Sequence, residues 1–197
     1  MGFCYSIDMK ITSAVFIKGV VASSPPLDES IPQYAFIGRS NVGKSSLINT
    51  LTNMPNLAKT SSFPGRTQEI NVFLINKAHY LLDLPGYGFA KASRDAQLRL
   101  RALIDWYLFE SGYEPKKIVI IIDGNIGPTA NDIEMIAALE SCGKNIIVAA
   151  NKIDKIKKSF AHNHLKKIQE TIGVHKLMPC STETKVGIEA LRNEIFK

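Results

Sequence analysis

Long apolar runs are missing from this chain. The longest, IVIII at 118–122, is far too short to cross a bilayer, and the apolar stretch at 15–22 is broken by Lys18 and has no secretory layout. Cysteine is scarce, with Cys4, Cys142 and Cys180 scattered and odd in number, and none stands in metal-ligand spacing. That excludes a disulfide framework and a zinc ribbon, and it fits a reducing cytoplasmic compartment. Repeats and low-complexity segments are absent, as is any excess of acid: 18 Asp and Glu stand against 24 Lys and Arg, for a net charge of +6. A basic balance favours polyanionic partners, nucleic acid first among them. The opening MGFCYS matches the loose myristoylation pattern at Gly2 and Ser6, too permissive a signal to carry a lipid anchor. The expectation is a monomer without stable membrane association.

What is present is an ordinary globular composition, 45% hydrophobic and 21% charged over 197 residues, enough for one well-buried domain. Residues 1–30 read as an N-terminal extension, in which ITSAVFIKGV is a candidate added edge strand and VASSPPLDES a linker. From 31 to 197, short apolar runs alternate with helical patterns. YAFIG, INVFLI, HYLLDL, KIVIIID, NIIVAAN and KLMP are strand-like, and the segments at 95–111, 131–142 and 159–172 are helical. This predicts a three-layer α/β domain, a mostly parallel sheet with helices on both faces. The runs at 70–75 and 79–84 read as a hairpin, hence one antiparallel edge strand. Ligands of such sheets bind at the carboxyl ends of the strands.

The motifs fall at those ends. GRSNVGKS at 38–45 fits G-x-x-x-x-G-K-[ST] between a strand and a helix. Backbone N–H groups from Gly38, Arg39, Ser40, Asn41, Val42 and Gly43 can wrap phosphates, Lys44 adds charge, Ser45 offers its hydroxyl to Mg²⁺, and the helix N-terminus, with Ser46 in its first turn, adds its dipole. DLPG, the residues Asp83, Leu84, Pro85 and Gly86, closes HYLLDL and puts a carboxylate where it meets Mg²⁺ through water, with the Gly86 N–H toward a γ-phosphate. NKID, comprising Asn151, Lys152, Ile153 and Asp154, decides the base. Asp154 accepts from guanine N1–H and the 2-amino group, Asn151 serves the O6 and N7 edge, and the Lys152 stem covers the ring. Adenine would leave a buried Asp154 unpaired, so the nucleotide should be GTP. After the next strand come Cys180, Ser181 and Thr182, whose N–H groups are candidates for the O6 atom. Between P-loop and DLPG, TSSFPGRTQE holds two candidate switch threonines, Thr60 and Thr67. The Pro64–Gly65 turn just before it and the strand just after favour Thr67.

Together GRSNVGKSS, PGRTQ, DLPGYGFA, NKID and CST resemble the EngB family, bacterial GTPases of the TrmE–Era–EngA group, over roughly residues 10–197. The resemblance implies a single G domain that assists assembly of the large ribosomal subunit and supports growth and septum formation. It assigns magnesium to Ser45 and Thr67, and adds Gly65, Arg66, Thr67, Gln68 and Glu69 to the nucleotide contacts. Asn151 stands where that family usually has threonine. Cys180 replaces a frequent Phe, and IDGNIGPTAND departs from the usual run in a region expected to lie away from the nucleotide.

After Gly86, where Ras-like enzymes hold water with glutamine, stands Tyr87. Catalytic help must then come from elsewhere. One candidate is a potassium ion held by Asn41 with Tyr87 only packing, which would put Lys44, Thr67 and Asn41 in the catalytic roles. Another is a basic side chain such as Lys91 or Arg94, or a ribosomal group. The partner surface is expected among Lys152, Lys155, Lys157, Lys158, Lys166 and Lys167, and among Lys91, Arg94, Arg99 and Arg101, where ribosomal RNA could dock. Competing readings are a membrane-associated signalling switch, which predicts a lipidated tail or that glutamine, and a metabolic P-loop kinase, which would leave NKID without a purpose.

Overall fold

A computed structural model of the chain describes residues 9–58, 69–88 and 93–197. Seven strands form one sheet: β1 (Ala14–Val20), β2 (Gln33–Gly38), β3 (Ile70–Ile75), β4 (His79–Asp83), β5 (Lys117–Asp123), β6 (Ile146–Asn151) and β7 (Lys176–Pro179), in the order β1-β3-β4-β2-β5-β6-β7. The described helices are α1 (Lys44–Thr52), α2 (Arg94–Asp105), α3 (Ala130–Ser141), α4 (Ala161–Ile172) and α5 (Ile188–Ile195).

β5 explains the layering. All seven of its residues are buried, as a central parallel strand with both faces covered requires. Because successive side chains alternate, Ile118, Ile120 and Ile122 pack with Ile104, Met135, Leu139, Ile168 and Ile172 of α2, α3 and α4, while Val119 and Ile121 pack with Leu47, Leu51, Leu191 and Ile195 of α1 and α5. Three helices cover one face and two the other, so the three-layer α/β expectation holds.

The sheet is mostly parallel, and β3 alone runs against its neighbours β1 and β4. The hairpin joining β3 to β4 turns at Asn76 and Lys77, both with positive φ, 50° and 57°, the paired left-handed geometry that suits tight hairpins. The edge position that this hairpin alone would give β3 is taken by β1, so the antiparallel strand lies one place in. Asn76 also explains how the N-terminal segment docks. Its side-chain oxygen accepts from the Thr12 and Ser13 N–H groups, and its amide donates to the Lys10 carbonyl. β1 is therefore part of the same sheet as residues 31–197. The helix expected over 95–111 is α2 followed by a widened turn at 106–110, closed by the Ser111 N–H on the Trp106 carbonyl at 2.8 Å. The turn buries Tyr107, whose hydroxyl donates to Gln33 Oε1 at 2.9 Å, and leaves Trp106 partly buried at the core's margin.

Candidate functional site

The site gathers at the carboxyl ends of β2, β4, β5, β6 and β7. The chain leaves β2 at Gly38, where no side chain fits because a Cβ would meet the Ile121 carbonyl at 2.5 Å. It then rounds the P-loop through Asn41 and Gly43, with φ of 67° and 92°, and enters α1 at Lys44. The turn sets the N-terminus of α1 behind the loop, as an anion site requires, but two of the N–H groups expected to wrap phosphates are used within the protein: Ser40 donates to the Tyr87 carbonyl at 3.0 Å and Val42 to the Arg39 carbonyl at 3.4 Å. Val42 is buried with α1, which fixes the loop from below.

Across the crevice β4 ends at Asp83, and Lys44 Nζ donates to Asp83 Oδ1. The pair shows that the P-loop lysine and the expected magnesium carboxylate share one partly buried space. With the Ser45 hydroxyl in the first turn of α1, the donors are hard oxygens few in number, the set that suits Mg²⁺ keeping most of its own water. Thr60, Gly65, Arg66, Thr67 and Gln68 lie outside the described residues, as does Lys91. Glu69, just before β3, has its carboxylate over Gly19 of β1.

After Asp83 the chain continues alongside β2: the Leu84 N–H donates to the Phe36 carbonyl at 3.0 Å and the Tyr87 N–H to the Gly38 carbonyl at 3.2 Å. Leu84 and Pro85 are buried. Tyr87 donates its hydroxyl to Asp132 Oδ1 of α3 at 2.7 Å. Burial, and then the charge of Asp132, push the phenol well above its usual range, so it remains a neutral donor. Tyr87 thus packs, as expected, and it also has a specific polar partner on α3.

The base-selecting loops join around Asn151. Its Nδ2 donates to the Val42 carbonyl at 3.0 Å, and its Oδ1 accepts the Thr182 N–H at 3.2 Å. The side chain is completely buried. In this structure Asn151 holds the P-loop, the end of β6 and the 180–182 turn together, a role additional to the base edge expected of its two-hydrogen amide. The turn differs from expectation. The N–H groups of Cys180, Ser181 and Thr182 already donate to the Ala150 carbonyl, the Val186 carbonyl and Asn151 Oδ1, so their work is to place side chains. Ser181 Oγ donates to Asp154 Oδ1 at 2.5 Å. Asp154 itself is exposed, not buried, with its carboxylate anchored by that hydroxyl at the rim. Cys180 is fully buried, which pushes its thiol up to about 12.

Lys152 holds the loop from the other side. Its own φ is 65°, and its Nζ donates to the Asn41 carbonyl at 2.7 Å and to Asp123 Oδ2 at 2.8 Å. Asp123 is a site residue that the motifs do not include. Burial alone would push its pKa up, but the Lys152 hydrogen bond and charge and the Asn125 and Ile126 N–H groups outweigh that and hold it below the usual carboxylate range. The IDGN run therefore begins inside the site, not away from it. The available signal was an acid ending a strand whose preceding residues are all apolar, at the ligand end of a parallel sheet. Ile153 follows Lys152 at the same rim, partly buried.

On the basic surfaces, Lys155, Lys157, Lys158, Lys166 and Lys167 are exposed, with Lys166 at 4.0 Å from Glu170. Arg101 has a structural use instead: it pairs with Asp105 at 2.9 Å and reaches Glu134 of α3 at 3.7 Å.

A P-loop at a helix N-terminus, an acidic strand end facing its lysine, and NKID stitched to that loop on a mostly parallel sheet define a P-loop GTPase. A family model described as 50S ribosome-binding GTPase matches residues 33–152. A "Probable GTP-binding protein EngB" of Clostridium perfringens (strain 13 / Type A) is 44% identical over 191 residues, covering 95% of this chain and 96% of that one. One of the same name from Acholeplasma laidlawii is 40% identical over 189 residues, covering 95% and 98%. The chain belongs to the EngB family. A crystal structure of a probable GTP-binding protein engB superposes with a TM-score of 0.70 at 29% identity over 83% of this chain and 96% of that one. Aquifex aeolicus Era bound to GDP·AlF4⁻ shares the fold, with a TM-score of 0.64 at 23% identity over 84% of this chain and 56% of that one.

Proposed function

We propose that this chain binds GTP and GDP, hydrolyses GTP slowly by itself, and acts as a nucleotide-timed switch in assembly of the large ribosomal subunit, and so in growth and septum formation. The observation that carries the nucleotide reading is the Asn151 junction. One buried amide ties the phosphate loop to the turn whose Ser181 holds Asp154 at the rim, a fixed distance between a phosphate site and a guanine-selecting carboxylate. In this reading the P-loop N–H groups other than those of Ser40 and Val42, together with Lys44, bind the β- and γ-phosphates, Gly86 senses the γ-phosphate, and Asp154 pairs with N1–H and the 2-amino group. Ser45, Asp83 through water, and Thr67 would hold Mg²⁺, which supplies charge neutralisation at the phosphates. The phenol of Tyr87 is committed to Asp132 and does not orient water, which is why turnover by the isolated chain should be slow. A potassium ion at Asn41 is a second source of charge; its backbone carbonyl is taken by Lys152, so the side chain would be the ligand. Equal turnover in potassium and sodium would remove that ion.

The ribosomal part is supported by the family and by the exposed lysines of the 155–167 segment. It is tested by co-sedimentation with purified subunits. Binding to the large subunit with a non-hydrolysable GTP analogue and not with GDP supports it, and binding in neither state leaves a guanine-nucleotide switch with another partner. Base selection is tested separately. Asp154→Asn exchanges an acceptor for a donor and should trade guanine for xanthine nucleotides by a hundredfold or so, since hydrogen-bonding groups left mismatched beneath a bound base are strongly rejected.

A further inference from the structure

Tyr87 is fixed at both its ends. Its N–H donates to the Gly38 carbonyl at 3.2 Å, and its own carbonyl accepts from the Ser40 N–H at 3.0 Å and from Ser40 Oγ at 3.3 Å. Its hydroxyl donates to Asp132 Oδ1 at 2.7 Å. Asp132 is completely buried, and its other oxygen accepts from Thr129 N at 2.8 Å and Thr129 Oγ1 at 2.7 Å, the cap of α3. The Arg39 guanidinium, itself in the P-loop, stands 3.5 Å from the same oxygen. A buried carboxylate satisfied on both oxygens has one orientation, and it transmits that orientation to what it holds.

What it holds is the neighbour of Gly86. Gly86 lies between two main-chain anchors on β2, at Leu84 and at Tyr87, and is packed so close that a Cβ would stand 3.2 Å from the Gly38 carbonyl and 3.4 Å from Ser40 N. The direction of the Gly86 N–H therefore follows from where Tyr87 is held. We propose that Asp132 is a positioning residue: through the Tyr87 hydroxyl it presets Gly86 against the P-loop, so that preference for a triphosphate over a diphosphate depends on a side chain of α3 that touches no nucleotide. The proposal rests on the reading of Gly86 as the γ-phosphate contact.

The test measures GDP and a non-hydrolysable GTP analogue by competition against a fluorescent guanine nucleotide, in the full chain and in Tyr87→Phe, Asp132→Ala, their double variant and Leu139→Val. Tyr87→Phe should weaken the analogue about tenfold, the size carried by one hydrogen bond to a charged group, and leave GDP within about twofold. Asp132→Ala should lower the same ratio, and the double variant should fall no further than the lower of the two. Leu139→Val trims a buried side chain further along α3 and leaves the bonds of Asp132 in place; it should lower Tm and leave the ratio unchanged. Should Asp132→Ala fail to fold, Tyr87→Phe against Leu139→Val still decides. An unchanged ratio in Tyr87→Phe, or an equal fall in Leu139→Val, overturns the proposal. A wild-type chain that binds both nucleotides equally well removes instead the γ-phosphate reading beneath it.

Discussion

Asp123 shows what a single carboxylate does when a lysine is brought to it. It steadies Lys152, which in turn holds the Asn41 carbonyl, so one ion pair shapes both the base loop and the tip of the phosphate loop. Its folded-state pKa is depressed, so the stability it contributes is complete above the ordinary carboxylate pKa of about 3.9 and is lost as pH falls through the lower folded value. Asp123→Asn should therefore have a lower Tm than the parent by a constant margin between about pH 7 and 5, and the margin should close below about pH 4; melting curves across that range check it. The same variant should bind GDP and GTP more weakly, because Lys152 loses its second anchor. At this scale the P-loop and NKID were readable from spacing, since each residue type has one chemical use there. Asp123 and Asp132 were not. Tyr87 and Asp132 are 45 residues apart, and nothing local in the sequence says that the phenol after DLPG turns to the first turn of α3.

Among the elements, the loop between β7 and α5 depends on one glycine. Gly187 has φ of 74°, and a Cβ there would stand 2.1 Å from the Pro179 carbonyl. The turn it permits brings the Val186 carbonyl to the Ser181 N–H at 3.0 Å, and Ser181 in turn holds Asp154. Gly187→Ala should cost about 2 kcal/mol or more from the left-handed backbone and the clash together, read by denaturant unfolding. It should weaken guanine nucleotide binding more than Lys185→Ala in the same turn. Element order was legible because each strand is a short apolar run followed by a motif, and β5 could be nothing but a doubly covered strand. β1 was harder to read. Val15, Phe16 and Ile17 are all exposed, so the strand lacks the alternation that usually announces a half-buried edge, and its register shifts between Phe16 and Lys18. The widened turn at 106–110 has no local signal either; it arises from burying Tyr107 onto Gln33.

At the scale of the whole molecule the net charge of +6 is unevenly used. Lys44, Lys117 and Lys152 are neutralised internally by Asp83, Glu194 and Asp123, and Arg101 by Asp105. The lysines at 155, 157, 158, 166 and 167, in the segment that follows NKID, are exposed. If they meet phosphates of ribosomal RNA, affinity for the large subunit should fall linearly on logarithmic axes as salt rises, and Lys157→Ala with Lys158→Ala should reduce that slope by about one for each phosphate no longer neutralised. Sedimentation over a salt series reads it, with nucleotide affinity as the control that stays unchanged.

The buried amide of Asn151 has a consequence for how the molecule breathes. A side chain that bonds the Val42 carbonyl and the Thr182 N–H from the end of a fully buried strand leaves neither loop able to open by itself. The Thr182 amide should exchange its hydrogen only in events that also loosen β6, with a protection close to that of the core strands. Most ligand loops belong to the soft part of a protein. Here the loops share the rigidity of the sheet, so a bound nucleotide would raise the melting point of the entire domain by mass action instead of quieting a local flap.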